Sequence, residues 1–306
     1  MTAATERSAD TAAPAQAPRG AAVGTLRAQA LPYLLLAPSL VFLAVLFAVP
    51  FVQTLLLSVS DGDRLSFANY AKMAGDLNFT LSLRNTFALV LTVIPVQIVL
   101  ALGMAMMLQK VRVARDIVLW IWTIPLAVSD LAAGLAWFAI LQDSGYLNSF
   151  LYAVGAVSDQ QAWLSYETPS TLFLGIAAAE IWRATAIVLV ILVAGVQLIP
   201  REYGEAAEVF GASAWQRFRR ITLPLLRPSL QTALILRTVL AFEVFAVVYA
   251  LGGRNFPVLV GEAFVWQHEN QDYGVAAAYA VLVMAVSLAA TVVYLRALRT
   301  PREQQS

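Results

Sequence analysis

The chain has 306 residues, of which 60% are hydrophobic and 13% charged. A soluble globular domain carries about 25% charged residues, so this composition places the chain in a membrane. There is no cysteine and a single histidine, His268, which excludes disulfides, thiolate metal sites and a histidine metal cluster. The net charge of +1 says little about partners, and no nucleic acid is expected among them.

A spanning helix needs about 20 largely apolar residues. Six stretches qualify, at about 31–59, 85–108, 117–141, 171–199, 230–251 and 274–295. The fold class is therefore an all-α membrane protein with six transmembrane helices. Residues 1–29, rich in Ala, Thr, Pro and Gln with Arg7, Arg19 and Arg27, read as a disordered cytoplasmic tail. The apolar run that follows is too long for the core of a signal peptide, so it reads as a span that stays. It carries Pro32, Pro38 and Pro50, which membrane helices tolerate where neighbours re-satisfy the freed carbonyls. A polar loop over 60–84 leads to Asn85-Thr86 and the second span, which ends in Lys110, Arg112 and Arg115. The third span starts near Asp116 and carries Trp120, Trp122, Pro125, Asp130 and Trp137. The loop 142–170 holds Asp143, Asp159 and Glu167 and no Lys or Arg. The fourth span carries Glu180, Trp182 and Arg183, and the fifth carries Arg237 and Glu243. The loop 252–273 sets Arg254 against Glu262, Glu269 and Asp272. Arg296, Arg299 and Arg302 follow the sixth span, and 298–306 read as a cytoplasmic tail.

Orientation follows from Lys and Arg alone. The two ends, the 110–115 loop and the 200–229 loop hold 14 of the 20, against 4 in the three opposite loops, counting Arg84. Both termini are thus expected in the cytoplasm, which an even number of spans requires.

Five ionisable residues fall within spans: Asp130, Glu180, Arg183, Arg237 and Glu243. Such residues are costly in hydrocarbon and usually face a bundle interior or a watery cavity. At about 1.5 Å of rise per residue, the three carboxylates lie roughly 12–16 Å below the outer ends of their spans, and the two arginines roughly 18–21 Å. One level of acids above two arginines points to a polar cavity near the midplane. Glu180 and Arg183, three apart on one helical face, can equally form a structural pair. Arg237 fits a brace for the fifth helix. Carboxylates and a guanidinium give directional hydrogen bonds suited to hydroxyl-rich ligands. Trp137, Trp182 and Phe245 offer flat surfaces for sugar faces, although aromatics also serve as interface anchors.

The loop 200–229 is polar and rich in arginine. Arg201 to Ala214 favours a helix, Gly211 offers a break, and Trp215 to Arg220 favours another turn before Pro224. A short helix, a bend and a second short helix outside the bilayer are expected.

Glu205-Ala206-Ala207, three residues, Gly211-Ala212, then Ile221, Leu223 and Pro224 reproduce the signature loop of ABC-importer permeases. Over about residues 30–297 the chain resembles the MalF/UgpA-like permease subunit of carbohydrate ABC importers. The resemblance rests further on Ala37-Pro38-Ser39-Leu40, Asn69-Tyr70, Asn85-Thr86, Trp182-Arg183, Leu198-Ile199-Pro200 and Arg237-Thr238. It implies a MetI-like type I importer fold, with the signature loop as the coupling helix in a cleft of the ATPase. It implies a MalG-like second permease, an ATPase dimer, an extracytoplasmic solute-binding protein and a sugar substrate, in a bacterial or archaeal cytoplasmic membrane. ATP and magnesium would be bound by the partner ATPase, with no cofactor and no metal on this chain, and no catalytic residue. Glu180 falls where maltose-type relatives place a substrate-facing polar residue. Three positions depart from the family pattern: Phe210 for an Asp before the glycine, Ala246 for an Asp, and Gly252-Gly253-Arg254 for Gly-Gly-Pro.

No G-x-x-x-x-G-K-[ST] is present, so ATP hydrolysis must come from elsewhere. Three other readings compete. The same machine can import an anionic solute such as glycerol phosphate or a glycerophosphodiester, which three acids at the same level would repel. A stand-alone secondary transporter would show inverted halves with broken helices. A membrane enzyme would have only the buried carboxylates for its chemistry.

Overall fold

The computed structural model describes residues 21–298 except 63 and 112, with backbone alone for 21–31 and 110. The expected tail positions 1–20 and 299–306, with Arg7, Arg19, Arg299 and Arg302, lie outside the described residues, as does Arg112. The chain divides into two units, Met1–Gln53 and Thr54–Ser306.

In the first unit α1 runs over Ala21–Leu43 and contains Pro32 and Pro38. Residues 21–29, expected within the tail, are therefore helical. A π-helical turn, Ala44–Ala48, follows, and α2 (Val49–Ser58) crosses the division between Gln53 and Thr54. Proline removes one donor and crowds the turn before it. A wider turn directly ahead of Pro50 accommodates that defect.

The regular elements of the second unit are helices apart from a short ribbon of two-residue strands, β1 (Ser60–Asp61) with β2 (Arg64–Leu65). Next come α3 (Ala68–Ala74) and α4 (Phe79–Lys110). The Asn69 amide donates to the carbonyls of Leu57 (3.1 Å), Ser58 (3.3 Å) and Ser60 (2.8 Å), closing the turn that follows α2. Asn85 Nδ2 donates to the Pro257 carbonyl (3.0 Å), and the Leu259 N–H donates to Thr86 Oγ1 (3.0 Å). Both pairs thus hold backbone that no regular element satisfies.

The third span is not the continuous helix expected over 117–141. It breaks into α5 (Arg115–Thr123), a 3-10 turn (Ile124–Ala127) and α6 (Asp130–Leu141), with a 98° bend. Pro125 tightens the turn, and Ser129 Oγ caps the new helix by accepting the Ala132 N–H. Helix α7 (Tyr146–Ala153) follows, and α8 (Pro169–Gln197) starts with proline in its first turn, where no donor is lost. The loop beyond α8 holds α9 (Arg201–Val209) and α10 (Ala214–Arg217), then a π turn (Phe218–Thr222) and α11 (Leu223–Leu225). The fifth span also differs from the single helix expected over 230–251. Helix α12 (Arg227–Phe242) stops, Glu243–Phe245 are irregular, and α13 (Ala246–Gly252) resumes. No Pro or Gly marks this break. A Cβ on Gly134 of α6 would stand 2.6 Å from Ala250 Cβ and 3.1 Å from Val247 Cα, so α13 lies flush on α6. Then come α14 (Leu259–His268) and α15 (Tyr273–Ala297).

Among the described residues, four helices are long and apolar enough to cross a membrane, and up to six if the bent pairs Arg115–Ala127 with Asp130–Ala153 and Ala214–Leu225 with Arg227–Phe242 each count as one span. Helix α4 lies at the centre of the second unit. Its Leu89 and Val93 join α6, α8 and α13 in one core cluster. Val90 and Ile94 join α12, α14 and α15 in another, and Ala101, Ala105 and Leu108 join α8 and α12 in a third. Spacings of three and four keep each set on one face of α4, and the one-residue offset between Leu89/Val93 and Val90/Ile94 turns those faces to different neighbours.

Candidate functional site

Two places in the second unit gather the chemistry. The first is a chain of charges between helices. Glu180 and Arg183 are three apart on α8, and their side chains approach to 3.4 Å. Glu180 turns its other oxygen to Arg237 of α12, at 2.9 Å, with both side chains 2% exposed. Arg237 Nε donates to Gln97 Oε1 of α4 at 2.6 Å, and Gln97 Nε2 donates to the Glu180 carbonyl at 2.8 Å. At the other end Arg183 meets Asp130 at 2.6 Å; Asp130 is 51% exposed and Arg183 18%. Two carboxylates balance two guanidinium groups, so the chain is neutral as a whole. The break in the third span explains the position of Asp130. It puts the carboxylate in the first turn of α6, where the helix dipole favours an anion.

The structure thus joins Asp130, Glu180, Arg183 and Arg237. Glu180, which the sequence left open between a cavity-facing acid and one half of a structural pair, is enclosed between α4, α8 and α12 and pairs with Arg237. Glu243 stands apart: it follows the last residue of α12, is exposed, and has no ion pair among the described residues. Trp137 packs edge-to-face on Trp182, 6.4 Å between centroids. Phe245 belongs to a separate aromatic group with Tyr249 (5.4 Å) and Phe264 (5.0 Å). Gln97 was not singled out in the sequence. Its only signal is an amide in the middle of a long apolar run.

The second place is the signature loop. Glu205 and Ala206 lie exposed on α9, and Ala207 is half-buried. Gly211 has φ of +76°, the left-handed region that favours glycine. Its N–H donates to the Glu208 carbonyl (2.8 Å) and that of Ala212 to the Ala207 carbonyl (2.9 Å), which closes α9. Ser213 and Gln216 form a reciprocal capping box that starts α10. An ion pair between Glu208 and Arg217 ties the two short helices together. Ile221, Leu223 and Pro224 are half-buried on the way into α12. The helix, bend and helix expected from the sequence are present. A cavity of about 860 Å³ separates this loop from the ends of α4 and α8, lined among others by Met107, Arg115, Gln197, Glu205, Arg217 and Ile221.

Beyond the opposite ends of the spans lies a polar cluster. Asp76 accepts from Trp266 Nε1 (2.6 Å) and from the Tyr279 hydroxyl (3.0 Å). Lys72 pairs with Asp272 at 2.5 Å. Partial burial acts to raise the Asp272 carboxyl, but the Lys72 and Val275 hydrogen bonds hold it below its usual range. Burial pushes Glu262 of α14 up, against the pull of Arg254 and with a contribution from Asp76.

Residues 97–299 match the family described as binding-protein-dependent transport system inner membrane component. The chain belongs to that family. Similar permeases include the sulfoquinovosyl glycerol transport system permease protein SmoG of Agrobacterium fabrum, 32% identical, covering 87% of this chain and 90% of that protein. The trehalose/maltose transport system permease protein MalF of Thermococcus litoralis is 30% identical, covering 89% and 94%. The trehalose permease protein SugA of Mycobacterium tuberculosis is 30% identical over 74% of each. In structure the chain resembles a bacterial ABC transporter involved in the import of the acidic polysaccharide alginate, with a TM-score of 0.78 at 21% identity, over 91% of this chain and 98% of that one. This permease therefore has the importer permease fold, is an integral inner-membrane protein, and is not itself an enzyme.

Proposed function

We propose that this permease forms half of the translocation path of an ATP-driven, binding-protein-dependent importer of sugars. The observation that carries this reading is near full-length similarity to permeases named for glycosides and disaccharides, together with a formed signature loop. The partners are a second permease, a pair of ATPase subunits that supply ATP and magnesium, and a solute-binding protein on the outer side. Both termini and the signature loop face the cytoplasm. Arg183 and Arg237 are both matched by carboxylates, so neither is a free cation for the phosphate of glycerol phosphate.

The geometry also supports a route for coupling. Helix α9 is joined to α8 by only three residues and runs through α10 and α11 into α12. A displacement of α9 by the ATPase therefore pulls on both spans. Those spans are bolted together at two places: Glu180–Arg237, and Gly195 against Ser229, where a Cβ on the glycine would stand 2.5 Å from Ser229 Cβ. Asp130 and Trp137, with Glu243 and Phe245 on the fifth span, are the side chains offered to the sugar. Glu205, Gly211 and the residues between them carry the coupling. Replacing Glu205 with Ala tests this role. ATPase stimulation by the loaded binding protein falls while the binding protein's own affinity for sugar stays unchanged; full stimulation would remove the coupling role from α9.

A further inference from the structure

The chain of charges between the helices has spare bonding capacity at one point. Arg183 holds Asp130 through Nη1 at 2.6 Å. Its Nη2 reaches Glu180 Oε1 only at 3.4 Å, and its Nε is buried with no hydrogen-bond partner among the described residues. Nitrogen–oxygen bonds between opposite charges close to about 2.7–2.9 Å, so this contact is stretched. Glu180 is under-used from the same side: Oε2 takes Arg237 at 2.9 Å, while Oε1 faces the stretched contact. Nε and Nη2 lie along one edge of a guanidinium, spaced to grip a carboxylate with two parallel bonds. A small rotation of Arg183 would seat that edge on Glu180 and release Asp130.

The partner that now holds Arg183 is the easier one to replace. Asp130 is 51% exposed and Glu180 2%. An ion pair open to solvent is worth little, so a ligand can compete for it. Two adjacent sugar hydroxyls can donate to one carboxylate as a guanidinium does, and the first turn of α6 still favours the Asp130 charge once the arginine leaves. Glu180 lies deeper, where its second oxygen gains a closed charge-assisted pair.

We propose that Arg183 is a two-position switch set by the cargo: on Asp130 when the path is empty, and on Glu180 when the adjacent hydroxyls of a neutral sugar occupy Asp130. The exchange frees the third span from the fourth. It tightens the fourth on the fifth, and these are the two spans that flank the signature loop. A carboxylate or phosphate on the cargo would be repelled by Asp130 and would not drive the exchange. Asp130 touches the sugar, and Arg183 is a positioning residue that carries the event to Glu180. This rests on the sugar-importer reading above and adds how the cargo is recognised and relayed.

The test is ATP hydrolysis by the assembled complex of both permeases and their ATPase in lipid nanodiscs, with and without the binding protein and a panel of sugars. Asp130→Asn removes the charge that keeps Arg183 in its empty-path position. It is expected to raise hydrolysis without sugar by about two- to fivefold, the population ratio that an exposed ion pair holds. Asp130→Asn combined with Arg183→Gln is expected to return hydrolysis to the parent's low level, because no guanidinium remains to move onto Glu180. A brace would behave otherwise: loosening it would lower hydrolysis or assembly, and the second substitution would add to the damage. Suppose the parent is stimulated by a sugar. An Asp130→Asn complex that stays silent without sugar or fails to assemble, or a double variant as active as the single, would then overturn the switch and leave the sugar reading standing. A parent complex that no sugar stimulates would remove the sugar reading and the switch with it.

Discussion

Arg237→Met tests the ion-pair chain most sharply. The substitution removes the partner at 2.9 Å from a carboxylate that is 2% exposed, and it leaves Gln97 Oε1 without its 2.6 Å donor. Breaking a buried pair from one side costs about 3–5 kcal/mol, because the remaining charge has no replacement for its lost hydration. Arg183 cannot compensate fully. It already serves Asp130 at 2.6 Å and reaches Glu180 only at 3.4 Å. A loss near the lower end of that range is expected, which corresponds to a fall in Tm of about 6–12 °C. Thermal unfolding of the purified complex, followed by tryptophan emission, measures it. The double variant Glu180→Gln with Arg237→Met removes both charges and is expected to regain most of the loss, since neutral replacement of a buried pair costs little. A single variant within about 1 kcal/mol of the parent, or a double variant as unstable as the single, would refute the reasoning.

Three further outcomes follow from the same geometry. Gly195→Ala drives a Cβ against Ser229 and Leu226 and is expected to cost about 1–3 kcal/mol, with Ser229→Gly restoring assembly; a tolerated Gly195→Ala without rescue would deny the close approach of α8 and α12. Glu262 has its carboxyl raised above the usual value near 4.5, so the folded state holds its proton longer than the unfolded one. Stability should therefore fall as pH rises through the window above about 4.5, and Glu262→Gln should flatten that slope in melting curves taken from about pH 4 to 8. Asp130→Ala is expected to change transport rate or sugar preference while the complex still assembles. Asp130 is half exposed, so its pair with Arg183 contributes little to stability; loss of the assembled complex would make it a brace.

The sequence was most legible where one local rule acts alone. Long apolar runs located α4, α8 and α15 closely, and Gly211 with its flanking helix formers foretold the bend in the signature loop. The break in the third span was readable in principle. Pro125 followed by Ser129-Asp130 is a stop signal and then a cap signal, but the apolar run around them masked both. The break after Phe242 was not readable, because no residue within 243–245 announces it and the close approach of α13 to Gly134 beside it is a tertiary contact. The charges followed the same division. The i, i+3 spacing predicted that Glu180 and Arg183 would be neighbours. The enclosure of Glu180 by Gln97 and Arg237, 83 residues before it and 57 after, depends on how α4 and α12 pack.

The claim that this permease serves a sugar importer is tested most directly by ATPase activity of the full complex in nanodiscs with its solute-binding protein. The account predicts that hydrolysis stays low with the unloaded binding protein and rises when a particular sugar is added. Hydrolysis indifferent to every sugar, or solute movement by the isolated chain on an ion gradient, would contradict it.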